Sequence, residues 1–182
     1  MEFMYALFIN LEPALEKQVS ALKQHFVETY NWPLSNTKPH ITVANNRLDE
    51  EVQADMVAEI EKNVHMLRPL KIELYNFDNF KQPNGSTIYI AVTDNKLNGF
   101  NLAANRALGR NKSETLHVTI ARGLDEALLN KAWPKYAHAK FTGTFYAKDV
   151  TLTRIENGKY KTVHVFKFNP HVADKSQQAA LF

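Results

Sequence analysis

An α+β fold with antiparallel strand pairing is what this sequence predicts, on three observations. Strand-like and helix-like apolar periods alternate along the chain. Two turn signals, Pro83-Asn84-Gly85 and Asn157-Gly158, each sit between strand-like runs short enough to pair as hairpins. After Pro134 the chain is strand-rich, which suits an α+β rather than a doubly wound arrangement. No glycine fingerprint of a dinucleotide fold and no phosphate-binding P-loop interrupts the pattern.

Phe3 to Leu11 is apolar on both faces and fits a central strand. Pro13 permits a helix start, and Leu15, Val19, Leu22 and Phe26 recur at helical spacing. That stripe stops before Asn31-Trp32-Pro33, and a polar, proline-rich stretch runs on to Pro39. A short strand, His40 to Ala44, follows. Asp49 can cap a helix carrying Val52, Met56, Ile60 and Val64, which Pro69 closes. Ile72 and Leu74 alternate in the next strand, with Phe77 and Phe80 just beyond it, and Thr87 to Val92 forms another. Asn95 to Leu108 is helical through Leu97, Phe100, Ala104 and Leu108. Leu116 to Ala121 reads as a strand, and a helix spans about Asp125 to Tyr136. Three strands close the pattern: Phe141 to Tyr146, Val150 to Ile155 and Thr162 to Phe168. A polar tail or marginal helix runs from about His171 to Phe182.

The chain has 182 residues, 45% hydrophobic and 23% charged, enough for one ordinary domain with a sizeable core. There is no cysteine, which excludes disulfides, thiolate metal sites and cysteine nucleophiles. No apolar run is long enough to span a bilayer, and the opening residues lack the basic region of a signal peptide. A soluble cytoplasmic protein, monomeric and without an obligate protein partner or membrane, is therefore expected. The net charge of +3 is too small for a polycationic arm, so any phosphate recognition should be local and concave.

Two segments share one pattern of histidine, apolar residue, threonine, apolar residue. They are His40-Ile41-Thr42-Val43 and His117-Val118-Thr119-Ile120. In a strand, side chains alternate between faces, so each copy places its histidine and threonine together and anchors its apolar residues on the other side. Rigid placement suits proton transfer. Each copy lies in a strand followed by a helix, a shared context that suggests internal duplication with two polar patches brought together. The remaining histidines, His25, His65, His138, His164 and His171, lack the threonine partner and read as surface or packing residues.

With both motifs intact, the chain resembles the 2H phosphoesterases, and within them the bacterial 2′-5′ RNA ligase and RNA 2′,3′-cyclic phosphodiesterase group. Lys38-Pro39 before the first motif, Ala121-Arg122 after the second and the closing Phe166-Lys167-Phe168 carry the likeness further, up to about Asn169. The resemblance implies a single bilobal domain over residues 1–170, with two antiparallel sheets and outer helices around a central cleft, and a tail over 171–182. It implies an enzyme that opens terminal 2′,3′-cyclic phosphates of RNA or nucleotides to 2′-phosphates, with reversible 2′-5′ ligation, and that needs neither metal nor cofactor. His40 would be the acid and His117 the base, with Thr42 and Thr119 donating to the phosphate oxygens. Cleavage of 2′-5′ oligonucleotides or other small cyclic nucleotides, and non-catalytic binding of RNA ends, are the alternatives.

Further candidates for substrate contact surround the motifs. Arg122 could clamp a phosphate or stand as a solvated strand-end charge, and Lys38 is a second cation. Tyr5 lies in the first strand, where the family places cleft residues. Phe77 and Phe80 could stack on bases or fill the core. Tyr146 and Lys148 leave a strand expected near the cleft. Where the family has an arginine at the start of strand one, this chain reads Met1-Glu2-Phe3.

Overall fold

The computed structural model describes residues 1–33, 35, 37–93 and 96–171. The tail expected beyond His171, and Asn95 at the expected start of a helix, lie outside the described residues. Among the described residues, eight strands and four α-helices are arranged as β1 (Glu2–Asn10), α1 (Pro13–Tyr30), β2 (His40–Asp49), α2 (Gln53–His65), β3 (Leu70–Gln82), β4 (Gly85–Val92), α3 (Lys96–Ala107), β5 (His117–Leu124), α4 (Glu126–His138), β6 (Thr142–Ala147), β7 (Asp149–Glu156) and β8 (Lys159–Lys167). No helix among the described residues is long and apolar enough to cross a membrane.

The strands form one sheet in the order β6-β3-β4-β5-β2-β1-β7-β8, with every neighbouring pair antiparallel. This corrects the expectation of two separate sheets. Two four-stranded groups are present, but β2 and β5 join them through Ile41 opposite Val118. The helices tie the groups together as well. α1 follows β1 in the chain yet packs on β5 of the other group, and α3 follows β4 yet packs on β2. Asn105 of α3 is buried and donates from Nδ2 to the Val43 carbonyl at 3.1 Å, which fixes that crossing. Such cross-packing buries the apolar faces of both groups in a single core running from Leu7, Ile41 and Val118 to Phe100, Leu129 and Phe166.

The local rules behave as the residue types demand. Pro13 occupies the first turn of α1, and Asn31 ends it in the left-handed region at φ 51°. Asp125 caps α4 by accepting from the Leu128 N–H at 2.7 Å. Asp49 does so one step earlier than expected, capping a 3₁₀ turn at Glu50–Val52 that leads into α2. The third strand is longer than its alternation suggests. Asn76, at φ 54°, forms a bulge that carries β3 on past Leu74, so Phe77 and Phe80 belong to it. Three residues apart in a strand, these two rings must point to opposite faces.

Candidate active site

Both motifs fold alike. His40 and Thr42 are half-buried between fully buried Ile41 and Val43, and His117 and Thr119 repeat this between Val118 and Ile120. In each strand a bulge falls one residue past the threonine, so that Val43-Ala44 and Ile120-Ala121 both turn to the core side. Because β2 and β5 run antiparallel about the Ile41–Val118 pair, His40 lies across from Thr119 and His117 across from Thr42. The four polar side chains thus share one face of two adjacent strands, at the floor of a cleft of about 1280 Å³.

Each imidazole is held by the same local hydrogen bond. His40 Nδ1 lies 2.7 Å from the Lys38 carbonyl, and His117 Nδ1 lies 2.6 Å from the Thr115 carbonyl. A carbonyl can only accept, so Nδ1 carries hydrogen in both rings. Nε2 is then the nitrogen left for chemistry, an acceptor when the ring is neutral and a donor when it is charged. Aromatic rings hold the imidazoles from the side. Phe8 of β1 stacks on His40 at 3.9 Å between centroids, while Tyr89 of β4 and Phe80 of β3 meet His117 at 5.0 and 5.2 Å.

Burial pushes both histidines below their usual value of 6.5. The charges around them differ. For His40 the positive charges of Lys23, His117 and Arg122 add to that downward push. For His117 the carboxylate of Glu114 acts in the opposite direction. Glu114 is itself fixed by Arg110 at 2.6 Å and by Asn101, which bonds both its backbone N–H and its carbonyl. Lys23 is buried, donates to the Thr37 carbonyl at 2.7 Å, and has its pKa lowered by burial and by Arg122.

The other candidates divide. Arg122 and Lys38 line the cleft, with Lys38 also 3.3 Å from Glu16. Phe80 lines it as well, whereas Phe77 turns to the opposite face and packs on Tyr136 and Phe141. Tyr5 is fully buried in the core and bonds Gln53 through its hydroxyl, away from the cleft, because its register parity is that of Leu7 and Ile9. Tyr146 and Lys148 are exposed at the end of edge strand β6, three strands away from the second motif. Sequence reasoning misses Phe8, Tyr89, Lys23, Glu114 and Tyr160, all of which lie at or beside the two histidines or line the cleft. Phe8 is within its reach, since alternation in β1 separates it from Leu7 and Ile9. No group of three or more His, Asp or Glu side chains able to hold a metal occurs among the described residues.

A family model described as the 2′-5′ RNA ligase superfamily matches residues 11–159. No curated protein matches the sequence. Among solved structures, TT0787 of Thermus thermophilus superposes with a TM-score of 0.71 at 16% identity, covering 94% of this chain and 100% of that one. E. coli LigT complexed with 3′-AMP gives a TM-score of 0.66 at 11% identity, covering 92% and 98%. E. coli LigT complexed with ATP gives 0.67 at 10% identity, covering 93% and 99%. At these identities the likeness is one of fold.

Proposed function

This chain belongs to the 2′-5′ RNA ligase superfamily, and on that premise we propose that it is a phosphodiesterase that opens terminal 2′,3′-cyclic phosphates to 2′-phosphates by paired-histidine catalysis. The observation that carries the reading is the matched pair of imidazoles, each fixed through Nδ1 and each facing the other strand's threonine. Hydrolysis needs one group to take a proton from water as it attacks phosphorus and another to protonate the ribose oxygen that leaves. Nε2 of neutral His117 takes the water proton. Nε2 of charged His40 delivers one to O3′ as the P–O3′ bond breaks, and the phosphate stays on O2′. The surrounding charges favour this polarity: Glu114 stabilises the imidazolium forming at His117, and Lys23 and Arg122 favour loss of the proton from His40.

Thr42 and Thr119 donate their hydroxyl hydrogens to the non-bridging oxygens, where negative charge accumulates. Arg122 supplies a bidentate cation at the same end of the cleft. With a 5′-hydroxyl in place of water as the nucleophile and the same two proton roles, the site joins it to a cyclic phosphate, leaving a 2′-5′ linkage as O3′ departs. The complexes of E. coli LigT with 3′-AMP and with ATP accord with a nucleotide-sized cleft. The reading keeps two pseudo-symmetric lobes within one domain and a cytoplasmic location.

The test is hydrolysis of a short RNA ending in a 2′,3′-cyclic phosphate, in EDTA, with product resolved as 2′- or 3′-phosphate. The parent should form the 2′-phosphate, and His40→Ala and His117→Ala should each abolish it. Undiminished turnover in both variants overturns the proposal.

A further inference from the structure

We propose that Tyr160, backed by Phe8, is a nucleobase platform, so that the cleft selects a nucleotide end over a bare sugar cyclic phosphate. The inference rests on the phosphodiesterase reading above and names the part of the substrate that reading leaves open.

A series of rings leads outward from the catalytic centre on the His40 side. His40 stacks on Phe8, and Phe8 meets Tyr160 edge-on at 5.1 Å. Phe8 is 6% exposed, but Tyr160 is 38% exposed and lines the cleft, so an open aromatic surface ends the series. The opposite side offers less. Tyr89 is 6% exposed and its hydroxyl donates to Asp78 Oδ2 at 3.2 Å, while Phe80 packs against both Tyr89 and His117.

The backbone sets the direction of Tyr160. Strict alternation along β8 would put Tyr160 and Thr162 on the face of His164 and Phe166, which is the helix side: His164 Nε2 lies 3.5 Å from Glu61 of α2, and Phe166 is fully buried. The register shifts by one residue between Leu152 and Thr153 of β7, which face His164 and Thr162. That bulge turns Thr162 and Tyr160 over to the cleft. The hairpin turn is held by Asn157 and Gly158, at φ 50° and 73°, the left-handed pair that a tight two-residue turn requires.

The chemistry places a nucleoside on this side. O3′ leaves phosphorus but remains on the ribose, so the acid that protonates it stands next to the sugar. His40 has that role, and a base extending from that sugar meets the ring surface beyond His40. Stacking tolerates any base, which suits RNA ends of varied sequence.

Binding and turnover test this separately. Calorimetry with adenosine 2′-phosphate should show Tyr160→Ala weakening Kd by about tenfold, with Tyr160→Phe near the parent. Ribose 2′-phosphate, which lacks a base, should bind more weakly than the nucleotide and should bind the parent and both variants alike. In turnover, adenosine 2′,3′-cyclic phosphate should show the Tyr160→Ala loss in KM and not in kcat. A base-free sugar that binds the parent as tightly as the nucleotide, or an unchanged Kd in Tyr160→Ala, overturns the platform whatever the turnover. Absent turnover with Tyr160-dependent nucleotide binding overturns the reaction and leaves the platform standing.

Discussion

The two motif strands can be laid over one another residue by residue, yet their electrostatic surroundings are opposite. Each histidine bonds the carbonyl two residues before it, each threonine lies two residues after, and each strand bulges one residue later. Phe8 stands opposite Thr42 in register, and Tyr89 stands opposite Thr119. The residues that differ come from outside the motifs: Lys23 from α1 and Arg122 from the end of β5 near His40, Glu114 from the loop before β5 near His117. Repeated backbone sets the geometry of the pair, and unrepeated charges set the direction in which a proton moves through it.

The strongest way to break this comparison is to remove each imidazole. His40→Ala and His117→Ala should each lower kcat on a cyclic-ended RNA by about 10²–10⁴-fold, measured by product separation. A variant that keeps kcat within about tenfold of the parent would mean the repeat is geometric only. Next come the threonines. Thr42→Val and Thr119→Val should each cost about a hundredfold in kcat with little change in KM, the size expected when a donor to the transition-state oxygens is lost. If one loss greatly exceeds the other, the phosphate does not sit symmetrically between the strands.

A finer test separates the charges. Followed by the ring-proton NMR shifts, Glu114→Gln should move the His117 titration to lower pH, and Lys23→Met should move that of His40 to higher pH. The change in kcat at neutral pH should stay under about tenfold, because a tenfold change corresponds to a full unit of pKa. Shifts of one sign for both variants would remove the proposed polarity.

The smallest effect is on stability. Both folded-state values lie below the usual 6.5, so between the two values the unfolded chain binds more protons than the folded one. The stability tied to the neutral imidazoles is present above 6.5 and is lost as pH falls through the folded values. Thermal melts at about pH 7.5 and about pH 5.5 should show a drop that shrinks in a His40→Gln, His117→Gln double variant. An unchanged drop would assign it to other groups.

The motif pair, the order of strands and helices, and the helical stripes of α1, α2 and α3 are legible in the sequence, because period and turn chemistry are local properties. Phe77 and Phe80 show where local reading stops: alternation ends the strand at Leu74, and a single left-handed Asn76 decides that it continues and on which face each ring lies. Tyr160 escapes local reading for the same reason, since the bulge in β8 reverses its face and no nearby residue type announces it. Family likeness draws Tyr5 to the cleft, and register places it in the core.

By itself, then, the sequence determined that two rigid histidine–threonine patches exist and that each is anchored through apolar neighbours on the opposite face. Only the tertiary structure decided that Ile41 meets Val118, joining two expected sheets into one and setting each histidine across from the other's threonine. It also decided which charges stand beside which imidazole. Lys23 and His40, or Arg122 and His40, are brought together by helix packing and strand pairing. Such proximities belong to the packed chain, because side chains far apart in sequence acquire a mutual field only when the core between them closes.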